Sequence, residues 1–328
     1  MTWIVWRQQR LALISLAVAL FAGVVAVLLL RAGMTADLDA RGIAGCVLDG
    51  IKPGSACSGT AVTEFQDTWF DRMKIAQSLV LALPALVGVF IGAPLFAREF
   101  EQGTHVLAFT QSVSRIRWMA SKFLVTAVPA LVVLLTLQFL VGGWLAAAGS
   151  LGPLKTGPFA ATTFGASGIS PFAYTLFAYT LGMFLGALSR RTLMAMTLTL
   201  GVFVVIRYVL TGLQQFMLTP KRITSDDPTS SAVPTGDRSL VLDSGHLDAA
   251  GNVLPNSWSR ISGCGARGNE AMPTDQLTCY REHGLVKSFA DLIPADAATS
   301  LHLVEGSIFL GLAVLFTLGS IWAVRRQV

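Results

Sequence analysis

The sequence predicts an all-α polytopic membrane protein with six transmembrane helices, cytoplasmic N- and C-termini and an extracytoplasmic insertion between spans 5 and 6. Three features of the chain indicate this fold. Hydrophobic residues make up 53% of the chain and charged residues only 13%, against about 25% charged residues in a typical soluble domain. Six apolar segments are each about 20 residues long, which is enough to cross the hydrocarbon layer as a helix. Arginine and lysine cluster in alternate loops, as in other multi-pass proteins.

The apolar segments place the six spans. They lie at 11–30, 75–97, 119–148, 170–188, 192–212 and 305–324. The third is long and contains Pro129 and Gln138, but it is too short for two spans and a turn, which indicates one tilted or kinked helix. The first is longer than the apolar core of a signal peptide and has no small-residue cleavage site after it, which favours an uncleaved anchor.

The basic residues set the orientation. An even number of spans brings one set of them to the same side of the membrane, which the positive-inside rule makes cytoplasmic. This set comprises Arg7, Arg10, Arg98, Arg115, Arg117, Lys122, Arg190, Arg191, Arg325 and Arg326. The first outer loop, 31–74, also carries basic residues, although acidic residues offset them. Residues 1–10 are short and amphipathic, and we expect them in the inner interface.

Two outer segments are longer than simple connections. Residues 62–74 have apolar side chains at helical spacing and are predicted to form a helix lying on the outer leaflet. Residues 213–304 are polar and rich in Pro, Gly, Ser and Asp, with helical ends predicted at 212–219 and 285–303. This insertion is either a stabilising cap or a functional lid. The resulting division is 1–10, 11–212 with an elbow at 98–117, 213–304, and 305–328.

All four cysteines fall in predicted outer loops. Cys46 and Cys57 lie in the first loop, and Cys264 and Cys279 lie in the last. Cysteines in an oxidising exterior favour two local disulfides, although the sequence leaves the crossed pairings open. A metal site of Cys264, Cys279 and His283 is the alternative, but its spacing is unlike that of zinc knuckles, so we expect no metal.

The elbow between spans 2 and 3 is the most informative segment. Glu99 and Glu101 lie where a membrane helix meets the cytosol, Gly103 can break the helix, and Thr104 can cap the next one. Residues 104–114 then form a short amphipathic helix or turn. This pattern fits either a docking element for a soluble partner or a solvated inner loop.

This stretch, AREFEQGTHVLAFTQSVSRIRW, resembles the inner loop of ABC-2-type transporter permeases, most of all those of the actinobacterial branch. The matching residues are Glu99, Glu101, Gly103, Thr104, Ser114, Arg115 and Lys122. The six spans, the short N-terminus with arginine just before the first span and the long loop before the sixth span also fit the family. The insertion at 213–304 is longer than the re-entrant hairpin usual there.

The resemblance implies a function for the elbow and a set of partners. The elbow would be the coupling helix, seated in a separate ATPase subunit that is present in two copies and carries ATP and Mg²⁺. A second permease chain, expected to be identical, would complete the pathway in a bacterial plasma membrane. The chain itself has no G-x-x-x-x-G-K-[ST] phosphate loop, no H-E-x-x-H and no G-x-S-x-G. We therefore expect a transport subunit with no catalytic residues or cofactor of its own, and no nucleic-acid partner.

Candidate pathway residues lie inside the spans. Arg207 is the one clear charge in a span; a charge there is functional by default, but it could also snorkel or form a structural pair, with Glu305 as a possible partner. Gln138, Tyr174 and Tyr179 are weaker candidates, since each could instead be a helix–helix contact. A G-x-x-x-G spacing at 182 and 186 permits close helix packing.

The predicted function is therefore that of the permease of an ATP-driven exporter. Because the spans carry few polar groups, the cargo would be amphipathic or apolar. The alternative is a membrane sensor or assembly factor whose 213–304 segment binds an extracytoplasmic ligand.

Overall fold

The computed structural model describes residues 2–49, 57, 59–103, 115–234, 238–261, 264 and 276–326. Six helices in this part of the chain are long and apolar enough to cross a membrane. They are Leu13–Ala40, Thr60–Glu101, Ile116–Leu151, Ser170–Ser189, Thr192–Phe216 and Ala295–Arg325. The six predicted spans are confirmed, and they are numbered 1 to 6 in this order.

The elements follow one another simply along the chain. Span 1 is α1 (Thr2–Ala40), with the short α2 (Cys46–Asp49) after it. Span 2 consists of α3 (Thr60–Val87), a π-helical turn (Gly88–Gly92) and α4 (Ala93–Glu101). Span 3 is α5 (Arg115–Ala148), and the short α6 (Ala161–Ala166) leads to span 4, α7 (Ser170–Ser189). Span 5 is α8 (Thr192–Leu213). Then come β1 (Lys221–Ser225), β2 (Leu240–Leu247), α9 (Ser257–Arg260), α10 (Gln276–Glu282), β3 (Lys287–Ile293) and span 6, α11 (Ala298–Arg325).

Span 3 is a single helix that passes through Pro129, as predicted. By contrast, the prediction of a separate helix on the outer leaflet at 62–74 is wrong. Those residues belong to α3, which continues without a break into span 2. Their apolar side chains, including Phe65 and Trp69, pack against spans 1 and 3. Packing against these helices removes the side chains from water, so no lipid contact is needed to bury them.

The spans pack around three large cores and a small one, in which Ala93 and Ala97 of span 2 meet Ala195 of span 5. We call the end of the bundle that carries the Cys46–Cys57 loop the outer end, following the predicted topology. At the outer end, spans 1, 2 and 3 share a core around Phe65 and Trp144, whereas spans 4, 5 and 6 share another around Phe177 and Phe309. At the inner end, a single core around Phe96 joins spans 2, 3, 4 and 6. The bundle is therefore two half-bundles at its outer end, 1–3 and 4–6, which merge at its inner end.

Spans 2 and 4 approach each other closely at glycines on both helices. Gly182 and Gly186 of span 4 face the π-helical turn and the residues next to it. A Cβ at Gly88 would lie 2.6 Å from the Ala178 carbonyl oxygen, and one at Gly182 would lie 2.7 Å from the Ala93 nitrogen. The close packing predicted from the G-x-x-x-G spacing is present, because only glycine allows the two backbones to come this near.

The insertion is a compact unit made of residues 157–159 and 214–298. It contains a three-stranded sheet of order β1-β3-β2 in which both pairings are antiparallel. This sheet was not predicted from the sequence. A helix was expected over 285–303, where β3 lies, and the α-helix of span 6 begins at Ala298, before the predicted start of the span at 305. Six of the seven residues of β3 are buried or half-buried, so no alternation of polar and apolar residues marks it as a strand.

The cysteines form the two local disulfides that were predicted, Cys46–Cys57 and Cys264–Cys279. His283 lies beside the second pair, with its Nδ1 3.9 Å from each sulfur and 2.8 Å from the Cys279 carbonyl oxygen. Cys264, Cys279 and His283 are the residues that were considered as a metal site in place of the disulfide. Because both sulfurs are used in the disulfide, they offer no thiolate to an ion.

Candidate functional site

Two groups of polar contacts join the spans, one at each end of the bundle. The first group holds the predicted coupling residues at the inner end of span 2, where α4 ends. Gly103 follows that helix with φ of 70°, a left-handed conformation that favours glycine. The segment 104–114, which includes Thr104, lies outside the described residues, as does the Arg115 side chain. The structure therefore describes the two flanks of the predicted docking segment.

Glu99 forms an ion pair with Lys122 of span 3. The Lys122 side chain is 1% exposed and its Nζ lies 4.5 Å from the centre of the Trp118 ring. Glu99 is 13% exposed. Taking both charges out of water is costly, so each depends on the other and removal of one would leave a buried unpaired charge. This pair ties the inner end of span 2 to the inner end of span 3.

Glu101 makes a different contact, with span 5. Its Oε2 accepts a hydrogen bond from the backbone N–H of Thr192 at 3.1 Å and another from the Thr192 hydroxyl at 2.7 Å. Thr192 is the first residue of α8. A carboxylate at a helix N-terminus satisfies an otherwise free N–H and interacts favourably with the helix dipole. Glu101 therefore caps span 5 from span 2.

These two contacts change the interpretation of the elbow. The sequence analysis proposed Glu99 and Glu101 as residues that couple the chain to a partner, without assigning them contacts inside the chain. In the structure both carboxylates bind neighbouring spans. Displacement of the segment that follows them would therefore act directly on spans 3 and 5.

The second group lies among spans 4, 5 and 6 near the outer end. Nη1 of Arg207 lies 3.0 Å from Oε1 of Glu305, whose side chain is fully buried. The hydroxyl of Tyr174 donates to the same oxygen at 2.8 Å and accepts from Arg207 at 2.9 Å. The guanidinium also stacks on the Tyr174 ring at 3.8 Å. Arg207 therefore pairs with Glu305, the partner that the sequence suggested.

The other two pathway candidates contact neighbouring helices and turns. The hydroxyl of Tyr179 lies 2.6 Å from that of Thr126, and its ring packs edge-on against Phe123, so it joins spans 3 and 4. Nε2 of Gln138 donates to the carbonyl oxygen of Gly168 at 2.8 Å. Tyr174 and Tyr179 thus make interhelical contacts, whereas Gln138 contacts the turn between α6 and span 4.

Sequence reasoning missed the polar residues around α6. Nδ1 of His302 lies 2.6 Å from the Ser170 hydroxyl, and its ring stacks on Phe164 with 3.9 Å between centres. Nε2 of Gln77 lies 3.4 Å from the Thr163 hydroxyl. One signal was available, because His302 precedes Glu305 by three residues and therefore shares its helix face.

The contacts at both ends of the bundle hold neighbouring helices together. Each carboxylate described above is engaged by a cation or a helix N-terminus.

A family model described as ABC-2 membrane transporter related matches residues 15–214 of the chain. This range covers spans 1 to 5 and therefore the whole inner group, together with Tyr174 and Arg207. No curated protein and no solved structure matches the chain.

Proposed function

Since the chain belongs to the ABC-2 membrane transporter related family, we propose that it is the permease of an ATP-driven exporter. Family membership makes it a multi-pass cell-membrane protein and the membrane subunit of an ABC transporter. The proposal adds a direction, a cargo class and a source of energy. The cargo is amphipathic or apolar, because the described spans expose mainly apolar side chains and their buried charges are paired.

The energy comes from a separate ABC ATPase, present in two copies, which holds ATP and Mg²⁺ and docks at residues 99–114. Two identical permease chains share the pathway. The observation that carries this proposal is the pair of inner contacts. Glu99–Lys122 and Glu101–Thr192 link the N-terminal side of the elbow, at the end of span 2, to spans 3 and 5, so that a force applied to the elbow reaches three spans at once.

In this mechanism, ATP binding closes the ATPase dimer and moves the elbow. The two carboxylates pass that movement to spans 3 and 5, and the single inner core carries it to spans 4 and 6. Packed helices switch between discrete arrangements and do not deform continuously, so a small displacement at the elbow can select between inward-open and outward-open states.

The test is co-purification of the tagged chain with its matched ATPase, followed by assays of ATP turnover and cargo transport in proteoliposomes. The variant is Glu99→Gln with Glu101→Gln, which removes both charges and keeps the side-chain size. We expect loss of cargo transport and of the change in ATP turnover that the permease causes. Glu64→Gln is the matched control, because Glu64 lies at the outer end of the same span and is 66% exposed.

Unchanged transport by the double variant would show that the elbow is wrongly assigned. A chain that neither binds the ATPase nor alters its turnover would contradict the exporter proposal as a whole.

A second candidate function is that of a sensor that binds an extracytoplasmic ligand. The observation that favours it is the compact unit at 214–298, which has its own sheet and a groove of about 550 Å³. The groove is lined mainly by Phe216, Met217, Leu218, Pro220 and Leu242. A soluble 213–304 fragment that folded alone and captured a ligand would support this candidate. A fragment that bound nothing, together with transport by the full chain, would exclude it.

A further inference from the structure

The short helix α6 and the turn after it, residues 161–169, lie between the two half-bundles at the outer end. Side chains of four spans contact this segment, and span 4 follows it directly along the chain. The contacting side chains are Gln77 of span 2, Gln138 of span 3, Arg207 of span 5 and His302 of span 6. We call residues 161–169 the clasp segment. It is the place where the half-bundle 1–3 and the half-bundle 4–6 meet the same short piece of chain.

The half-bundle 1–3 holds the clasp segment by two amides. Nε2 of Gln77 lies 3.4 Å from the Thr163 hydroxyl, and Nε2 of Gln138 donates to the Gly168 carbonyl oxygen at 2.8 Å. Ala166 packs against the core of spans 1, 2 and 3. Leu81 of span 2 also lies against Gly165, so this half-bundle holds the segment by two amides and a small apolar contact.

The half-bundle 4–6 holds the other face of the clasp segment. The Phe164 ring stacks on His302, whose Nδ1 lies 2.6 Å from the Ser170 hydroxyl. Two glycines allow the approach. A Cβ at Gly165 would lie 2.6 Å from Nη2 of Arg207 and 2.4 Å from Cδ1 of Leu81 on span 2, so this glycine is enclosed from both half-bundles, and one at Gly168 would lie 3.0 Å from the His302 ring. Arg207 is itself held by Glu305, so the charged pair of spans 5 and 6 supports the clasp segment.

The two amides of the half-bundle 1–3 are only half satisfied. Oε1 of Gln77 and Oε1 of Gln138 are buried and have no hydrogen-bond partner among the described residues. A buried acceptor without a donor is costly, and native structures contain few of them. Both lie on residues that hold the clasp segment. Release of the segment would admit water to both oxygens. The free-energy cost of the two buried acceptors is therefore present only in the closed state, at the same contacts that opening would break.

We propose that residues 161–169 are a clasp that keeps the outer ends of the two half-bundles together and is released when the transport pathway opens to the outside. This inference rests on the proposed exporter function. Gln77 and Gln138 are positioning residues on one side of the clasp, and Arg207, Glu305 and His302 are positioning residues on the other. ATP-driven movement at the inner end separates the half-bundles, and the clasp segment then leaves one of them.

The test uses a single introduced cysteine. All four natural cysteines are in disulfides, so Thr163→Cys adds the only thiol to the chain. Thr163 is 6% exposed. The complex with its ATPase is reconstituted in proteoliposomes, and a membrane-impermeant maleimide is added on the outer face, either without nucleotide or with ATP and vanadate. Thr156→Cys, at an exposed position shortly before the clasp segment, is the matched control.

We expect the labelling rate of Thr163→Cys to rise by about tenfold with ATP and vanadate, the change that follows when a minor open state becomes the major one. Labelling of Thr156→Cys should stay constant. In the Thr163→Cys background, Gly165→Ala should raise labelling without nucleotide, because its methyl group would overlap both Leu81 of span 2 and Arg207 of span 5 and so loosen the clasp segment between them. Gly201→Ala, at a glycine with open space around it, should not.

The outcomes separate the two proposals. Constant labelling of Thr163→Cys, in a complex that transports cargo and in which the control cysteine is labelled, overturns the clasp and leaves the exporter function standing. Equal labelling with Gly165→Ala and Gly201→Ala also overturns it. Failure of the ATPase to bind or to respond to the chain overturns the exporter function, and the clasp with it.

Discussion

The Glu101 carboxylate accepts hydrogen bonds from both the backbone N–H and the hydroxyl of Thr192, and so joins the last residue of α4 to the first residue of span 5. Glu101 is exposed at the inner end of the bundle. A carboxylate in this position could act on a docked partner by its charge, or on span 5 by its hydrogen bonds. The proposed mechanism uses the second route, and the two routes can be separated experimentally.

Thr192→Val removes the hydroxyl that Glu101 binds and leaves the charge of Glu101 in place. We expect cargo transport to fall while ATPase binding is retained, because the docking surface is unchanged but its link to span 5 is weaker. Transport and ATPase binding by the reconstituted complex measure the two effects. Thr197→Val on the same helix, where the hydroxyl bonds only to its own helix, is the control. Equal transport by both variants would favour the docking role of Glu101.

The Glu99–Lys122 pair makes a prediction about stability. Glu99→Gln or Lys122→Met alone should destabilise the protein by about 3–5 kcal/mol, because each leaves one charge buried without its partner. The double variant should lose less than the sum of the two, since it leaves no unpaired charge. Unfolding in mixed micelles gives the four free energies of this cycle. Additive losses would show that the two side chains do not interact in the folded protein.

The sequence predicted features that depend on neighbouring residues better than contacts between residues far apart along the chain. The spans were predictable because each is a continuous apolar run of about 20 residues. The pairing of Arg207 with Glu305 was suggested because a charge inside a span needs a counter-charge. The contacts of Glu99 and Glu101 inside the chain were not predicted. Their partners lie 23 and 91 residues away, and nothing in the local pattern identifies Lys122 or Thr192 as those partners.

The clasp segment and the sheet were missed for a different reason. α6 has six residues, which is less than two helical turns and too short to show a periodic pattern. Its side-chain contacts include Gln77, Arg207 and His302, which lie far away along the chain, so its position is set by the tertiary structure. The strands of the insertion were obscured in the same way, because β3 is buried over most of its length and β1 has only five residues.

Tyr174 makes a prediction about the outer charged pair. Tyr174→Phe removes the hydroxyl that donates to Glu305 and accepts from Arg207, while it keeps the ring on which Arg207 stacks. We expect a loss of about 1.5–3 kcal/mol, the range for hydrogen bonds to charged groups. Tyr208→Phe on span 5 is the control, since that side chain is 82% exposed. If the two variants unfold alike, the hydroxyl of Tyr174 does not stabilise the pair.

His246 makes the insertion sensitive to pH. Burial lowers the pKa of His246, although its hydrogen bond to the Pro228 carbonyl oxygen opposes this shift. Because the folded pKa lies below the unfolded value of about 6.5, the unfolded chain binds more protons between the two values. The stability of the insertion should be complete above pH of about 6.5 and fall as the pH drops below it.

Protease cleavage within 214–298 of the full-length chain, followed from neutral to mildly acidic pH, measures this effect. His246→Gln should remove the dependence in that range. The aspartates with lowered pKa, such as Asp291 beside Arg222, lose their contribution only below their unfolded pKa of about 3.9. They therefore cannot account for a change near pH 6, and a variant that kept the same pH profile would contradict the role of His246.

Replacement of glycine by alanine should have opposite effects at two positions, Gly182 at the crossing of spans 2 and 4 and Gly201 on an open face of span 5. Gly182→Ala places a methyl group against the backbone of the π-helical turn and of Ala93, where no flexible side chain can move aside. We expect a loss of about 1–3 kcal/mol from this overpacking. Gly201→Ala adds the same methyl group in open space on span 5. There the better helix propensity of alanine should stabilise the protein by up to about 1 kcal/mol. Unfolding free energies of both variants test this, and equal effects would mean that spans 2 and 4 are not in backbone contact.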